Sequence, residues 1–328
     1  MILVLRALGV GDLATAVPAL RALRARFPGQ ELMLAAPRWL MPLVDLTGTV
    51  DRLVAVDDLG ARRWCGPAPT LAVNLHGRGP QSHRLLAASR PDRLIAYANP
   101  AAGHADGPQW NPAEHEVDRW CRLLGWHGIP ADRDDLDLAV PPAPTMGGVT
   151  VVHPGAKSPV RRWPAPRFAD VARTLAAAGH HVVITGSAAE YGLAAHVAQA
   201  AGLSPAAVLA GRTGLRELAA IVAHARLVVS GDTGIAHLAT AYRTPSVVLC
   251  GPVPPRLWGP PPHRLYHRAI WHGRRADPGD DPGPDPHPAL LEITVEEVVT
   301  AAYEAERAAG PRAHRRDHTV VGVTGPGG

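Results

Sequence analysis

Lysine is almost missing from this chain of 328 residues: Lys157 stands alone, and every other basic side chain among the 33 is arginine. Cysteine is nearly as scarce, with Cys65, Cys121 and Cys250 odd in number and far apart. That excludes a disulfide framework and paired zinc-ligand spacing, and it suits a reducing compartment. Phenylalanine occurs twice and aromatics make up 5% of the chain, so the arginines are not interleaved with stacking rings as a nucleic-acid surface requires. The net charge of +4 is mild. A cleft that favours phosphates or a polyanion accounts for it, and so does the over-use of Ala, Arg, Gly and Pro throughout the chain. No run approaches the roughly 20 apolar residues of a membrane span. The chain opens at once on the strand-like Ile2-Leu-Val-Leu5, without a basic region or a cleavable apolar core. A soluble, cytoplasmic protein is the expectation.

What is present is alternation. Apolar runs of four to six residues alternate with helical patterns of ten to fifteen, the sign of stacked β-α-β units. Strands are predicted at 2–6, 31–36, 52–56, 71–75 and 93–97. The first helix carries Leu13, Ala16, Val17, Leu20, Leu23 and Phe27 on one face, and Pro18 moves its regular start toward Thr15. A polar, proline-rich stretch at about 131–148 reads as a linker. Alternation then resumes with strands at 149–153, 181–185, 207–209, 226–230 and 246–250 and helices at 165–178, 188–201, 215–224 and 234–241. Residues 274–288 lack a core, 294–309 form a last helix, and 310–328 read as a disordered tail. The fold class is α/β, with two doubly wound Rossmann-like domains.

Ser230-Gly-Asp-Thr-Gly-Ile-Ala-His237 follows a buried strand and opens a helix. The unpaired N–H groups of a helix start, the Thr233 hydroxyl and His237 one turn on then converge, a corner suited to a diphosphate. In the first half, Gly9-Val-Gly11-Asp-Leu-Ala14 matches the dinucleotide fingerprint in form, with Glu31 about twenty residues on. Glu31 starts the second strand, whereas the ribose-binding acid belongs at that strand's end. The glycines read better as a sharp bend beneath a ligand. Asp12, in the same turn, is either a helix cap or a general base facing a cleft. Lys157, Arg161 and Arg162 crowd the loop between the strand ending at His153 and the helix entered through Trp163, either as a phosphate site or as a solvated basic loop. Gly186 and Glu190 close the next strand, where Glu190 is a ribose acceptor or a plain helix-start acid. His76 and Arg78 end a first-half strand and could touch a second substrate. Asp135-Leu-Asp137 has the form of a metal-binding D-x-D, but it lies in the linker and reads as solvated charge. The histidines lack metal-ligand spacing, so neither a metal nor a cofactor is expected.

Taken together, Gly11-Asp-Leu-Ala-Thr-Ala-Val-Pro-Ala-Leu20, His153-Pro-Gly through Arg-Trp-Pro164, Thr185-Gly through Glu190, Leu215-Arg-Glu-Leu218, Ser230 through His237, and Cys250-Gly-Pro with Trp258-Gly-Pro resemble the heptosyltransferase-like glycosyltransferases. They keep that family's order over roughly residues 1–260. The resemblance implies a GT-B fold with an acceptor domain at 1–145 and a donor domain at 146–292. It further implies a helix at 293–309 that packs back toward the first domain, ahead of the tail at 310–328. It implies inverting, metal-independent transfer from a nucleotide-diphosphate sugar, typically ADP-heptose, to a glycan or small-molecule acceptor. Peripheral membrane contact follows if that acceptor is lipid-linked. By motif match, Asp12 is the base and Arg161 or Lys157 neutralises phosphate, with Arg162 alongside. Asp232, Thr233, Gly234 and His237 line the donor sugar and diphosphate, while Gly186, Glu190 and Thr213 hold the nucleotide. Gly11, His76 and Arg78 fall to the acceptor. Two departures stand out: the 153–164 segment has its own spacing, and Gly251-Pro-Val-Pro-Pro-Arg256 lacks the family's acidic residue. A nucleotide-sugar epimerase of the same fold, a nicotinamide-dependent dehydrogenase and a non-catalytic binding protein are the rival readings.

Overall fold

The computed structural model describes residues 1–60, 64, 66–274 and 283–310. Its first half runs β1 (Ile2–Leu5), α1 (Val10–Arg26), β2 (Leu32–Ala36), α2 (Met41–Thr47), β3 (Arg52–Ala55), β4 (Leu71–Asn74), α3 (Gln81–Ala87), β5 (Arg93–Ile95) and α4 (Glu116–Trp126). The strands form one parallel sheet in the order β3-β2-β1-β4-β5. The second half runs β6 (Thr150–His153), α5 (Ala165–Ala177), β7 (Val182–Ile184), α6 (Tyr191–Ala200), α7 (Leu215–Ala223), β8 (Leu227–Gly231), α8 (Gly234–Ala241), β9 (Ser246–Leu249), α9 (Pro255–Trp258), β10 (His267–Ile270), α10 (Pro288–Glu292) and α11 (Val295–Ala309). Its strands form a second parallel sheet, β10-β9-β8-β6-β7. The central strands are buried along their whole length, as helices on both faces of a parallel sheet demand. Strand order reverses between β1 and β4 in one sheet and between β6 and β8 in the other. Connections diverge at such points and leave a crevice beyond the strands' carboxyl ends.

The helices leaving β1 and β8 meet. Leu13, Val17 and Leu20 of α1 share one apolar cluster with Ile235, Leu238 and Ala239 of α8, so a single core runs from sheet to sheet. The approach is so close at the helix starts that only glycine fits. A Cβ on Gly11 would lie 2.6 Å from the His237 ring, and one on Gly234 would lie 2.7 Å from Val10 Cβ.

Several expectations are corrected. Helix α1 begins at Val10, not near Thr15, with Pro18 inside it and buried. The hydrogen bond lost there, together with the ring clash, costs about 3 kcal/mol, which the burial of the surrounding apolar face offsets. Residues 207–209 make a single bridge, Ile184 to Val208, rather than a strand. Helix α11 packs on the second sheet rather than on the first domain. Its Val298, Ala301, Ala302 and Ala305 complete that sheet's core, and Glu306 and Glu304 pair with Arg226 and Arg268. The linker acids are not free solvated charge: Asp135 pairs with Arg21 of α1, and Asp137 with Arg243 beyond α8. The predicted tail from 311 on lies outside the described residues, as does the middle of the 274–288 loop.

Candidate active site

Asp12 occupies the third position of α1. Its Oδ2 accepts the Gly9 backbone N–H at 3.0 Å, so it caps the helix. Its Oδ1 lies 3.3 Å from Arg6, and the side chain keeps about a quarter of its surface open. It is therefore both a capping residue and a partly exposed acid. His76 lies at the end of β4, beside β1. Its Nδ1 is buried without a partner among the described residues. Burial pushes its pKa down, and Arg6 pushes the same way against Asp12, so the ring is neutral. Arg78 is exposed, and its part in the structure is a carbonyl that accepts from Asn99 at 2.7 Å.

Across the interface, Thr233 is the N-cap of α8. Its hydroxyl is buried and has no partner among the described residues. An unmatched buried hydroxyl at a helix start is costly unless something else occupies it. Asp232 is buried behind it and lies 3.2 Å from Arg161. His237 sits over Gly11, with the Trp258 ring 5.9 Å away edge-on. Burial lowers its pKa, more than Asp232 and Asp12 raise it, so it is a neutral donor or acceptor. The bulk limit at Gly234 comes from Val10 of the first domain, so its small size serves the helix crossing rather than an open cleft.

The basic loop divides. Lys157 is exposed, Arg161 leans on Asp232, and Arg162 donates to the Ala156 carbonyl at 2.9 Å, which braces the loop. Glu190 accepts both the N–H and the hydroxyl of Ser187 at 2.8 Å. Burial works against its charge, but those two bonds, His153 and Arg162 together hold it below the ordinary carboxylate range. Its carboxylate fills the space beside Gly155, where a Cβ would collide with it. Gly186 lies against Glu190 and Ala210, and Thr213 is half-buried just before α7. The structure thus gathers Asp12, His76, Arg161, Asp232, Thr233 and His237 around the meeting of α1 and α8. Glu190, Gly186 and Arg162 form a neighbouring group at the ends of β6 and β7. Among the described residues no cluster of His, Cys, Asp or Glu could hold a metal ion, and no helix is long and apolar enough to cross a membrane.

A family model described as glycosyltransferase family 9 (heptosyltransferase) matches residues 125–276. Lipopolysaccharide heptosyltransferase 2 of Escherichia coli is 25% identical, covering 91% of this chain and 96% of that protein. The solved structure of Escherichia coli ADP-heptose lps heptosyltransferase II aligns with a TM-score of 0.75 at 23% identity, over 93% of this chain and 98% of that one. An Escherichia coli heptosyltransferase with ADP aligns at 0.66 and 18% identity, over 94% and 98%. Along most of its length this chain is similar to the heptosyltransferases.

The fold is GT-B, its two parallel sheets being those described above. Three residues that shape the site escaped the sequence reading, Arg6, His115 and Glu116, and Trp258 was read only as part of a motif. Arg6 carried a signal, since an arginine closing an apolar strand is out of place unless it is paired. His115 accepts the Val117 N–H on Nδ1, which leaves Nε2 to donate to the Gly259 carbonyl of the other half at 3.0 Å. Nothing in the local pattern marks that contact, which spans 144 residues of sequence.

Proposed function

We propose that this glycosyltransferase moves a heptose from ADP-heptose to a hydroxyl of a lipopolysaccharide-type glycan, with inversion at the anomeric carbon and without a metal ion. Residues 1–145 take the acceptor and 146–292 the donor. The acceptor oxygen bonds to the anomeric carbon on the face opposite the diphosphate, the bond from that carbon to the diphosphate oxygen breaks, and the acceptor's proton passes to Asp12. Charge developing on the departing ADP is met by the N–H groups that open α8, the Thr233 hydroxyl and the cations of the 157–162 loop. Neutral His237 contributes a hydrogen bond to a sugar hydroxyl or to phosphate.

The observation that carries this reading is the abutment of α1 and α8. It sets a partly exposed carboxylate on one helix start beside an unmatched buried hydroxyl on the other. The donor proposed is that of the similar Escherichia coli ADP-heptose lps heptosyltransferase II. The test is turnover of ADP-heptose by Asp12→Asn, with and without excess EDTA on the parent. Asp12→Asn is expected to lose about two to four orders of magnitude in kcat and to keep its thermal stabilisation by ADP. Parental rates in that variant would return Asp12 to a capping role. Activity lost to EDTA and restored by magnesium would overturn the metal-free mechanism.

A further inference from the structure

Arg6 closes β1 and is 1% exposed, so it cannot reach a substrate. Its guanidinium is nevertheless the most heavily bonded group at the site. Nε donates to the Asp12 carbonyl at 3.0 Å, and one terminal nitrogen donates to the Leu75 carbonyl at the end of β4. The other terminal nitrogen lies 3.3 Å from Asp12 Oδ1, 3.2 Å from Thr15 Oγ1 and 2.9 Å from Glu116 Oε1. Glu116 opens α4 and is itself buried. It takes the Trp120 indole N–H at 3.0 Å and pairs with Arg119. The Arg6 guanidinium also lies 4.8 Å from the centre of the Trp120 ring.

We infer that Arg6 is a positioning residue for Asp12, and that Glu116 and Trp120 hold Arg6 in that role. The inference rests on the reading of Asp12 as base. With Gly9 on Oδ2 and Arg6 on Oδ1, both carboxylate oxygens are pinned, which fixes the orientation of the group. A planar fork fixed at five acceptors sets direction as well as charge, which a lysine ammonium cannot reproduce. Both Arg6 and Glu116 are needed, because a buried guanidinium with one carboxylate removed is left under-compensated.

The experiment is a double-mutant cycle on the full chain, with Arg6→Lys and Asp12→Asn alone and together and Glu116→Gln in parallel. Residual rates are followed over long incubations, and near-ultraviolet circular dichroism and the ADP thermal shift report on folding. Arg6→Lys is expected to lower kcat about 10- to 100-fold, the scale of a small misplacement of a reacting group. The KM for the donor should stay unchanged, and in the Asp12→Asn background Arg6→Lys should have no further effect. Glu116→Gln should lower kcat in the same direction, and it carries the test if Arg6→Lys does not fold. An equal loss from Arg6→Lys in both backgrounds, or a parental kcat in folded Arg6→Lys, overturns the positioning role while leaving the base intact. A parental rate in Asp12→Asn alone overturns the base and, with it, the role of Arg6.

Discussion

Buried histidine recurs in this molecule, and each such ring titrates the same way. His76, His83, His153 and His237 have pKa values depressed first by burial. The His267 pKa falls from 6.5 to about 3, with Arg264 adding to the effect of burial. Its Nδ1 shares a hydrogen bond with Ser246 at 2.8 Å, while Nε2 is buried without a partner among the described residues. The unfolded chain binds a proton at this residue below about pH 6.5, and the folded chain does not until about pH 3. The stability tied to His267 is therefore full above about pH 6.5 and is lost as pH falls toward 3, at up to about 1.4 kcal/mol per pH unit. Thermal unfolding at pH 7.5 and pH 4.5 should show His267→Gln losing less stability on acidification than the parent. Equal losses would show that this ring does not govern the acid limb.

At the scale of elements, the crossing of α1 and α8 is held by glycines, and its tolerance can be measured. Gly11→Ala should cost roughly 1–3 kcal/mol, the usual range for overpacking, because its methyl meets the His237 ring. Removing that ring should recover part of the loss. Gly11→Ala combined with His237→Ala should therefore be more stable than the sum of the two single losses allows, as read by urea unfolding. Additive losses would mean that the ring swings away freely. Much of this element framework was legible in the sequence, for a physical reason. Parallel strands covered on both faces read as plain apolar runs, and nine of the ten strands were expected within a residue or two of where they lie. The tenth, His267–Ile270, is an edge strand that reads His-Arg-Ala-Ile, too polar at its start to give such a run. Asp12 and the Asp232–His237 turn were legible because local backbone demands put Gly, Asp and Thr at a strand-to-helix bend. The Arg6–Glu116 pair was not, since its partners stand 110 residues apart and only the fold brings them together.

The two sheets share one apolar cluster, and a further one lies between the second sheet and α5, α6 and α11. The apolar cluster that includes Leu20 and Val17 continues through Ile235 and Leu238 to Val151 and Val228 of the second sheet. Heat or urea should therefore unfold both halves in one transition, and tryptophan fluorescence and far-ultraviolet circular dichroism should give coincident curves. Two separated steps would show that the halves hold together only by their surfaces. The outer ties, Arg21 to Asp135 and Arg243 to Asp137, are partly exposed ion pairs and contribute little by comparison. The glycine crossing also has a mechanical meaning. Two bodies that touch at Gly11 against His237, and at Gly234 against Val10, cannot part there without tearing the core open. Any rocking of one sheet against the other must turn about that point as a fulcrum. Displacement grows with distance from a fulcrum, so the far ends of the crevice can swing wide for a bulky substrate while Asp12, beside the pivot, scarcely moves relative to the start of α8.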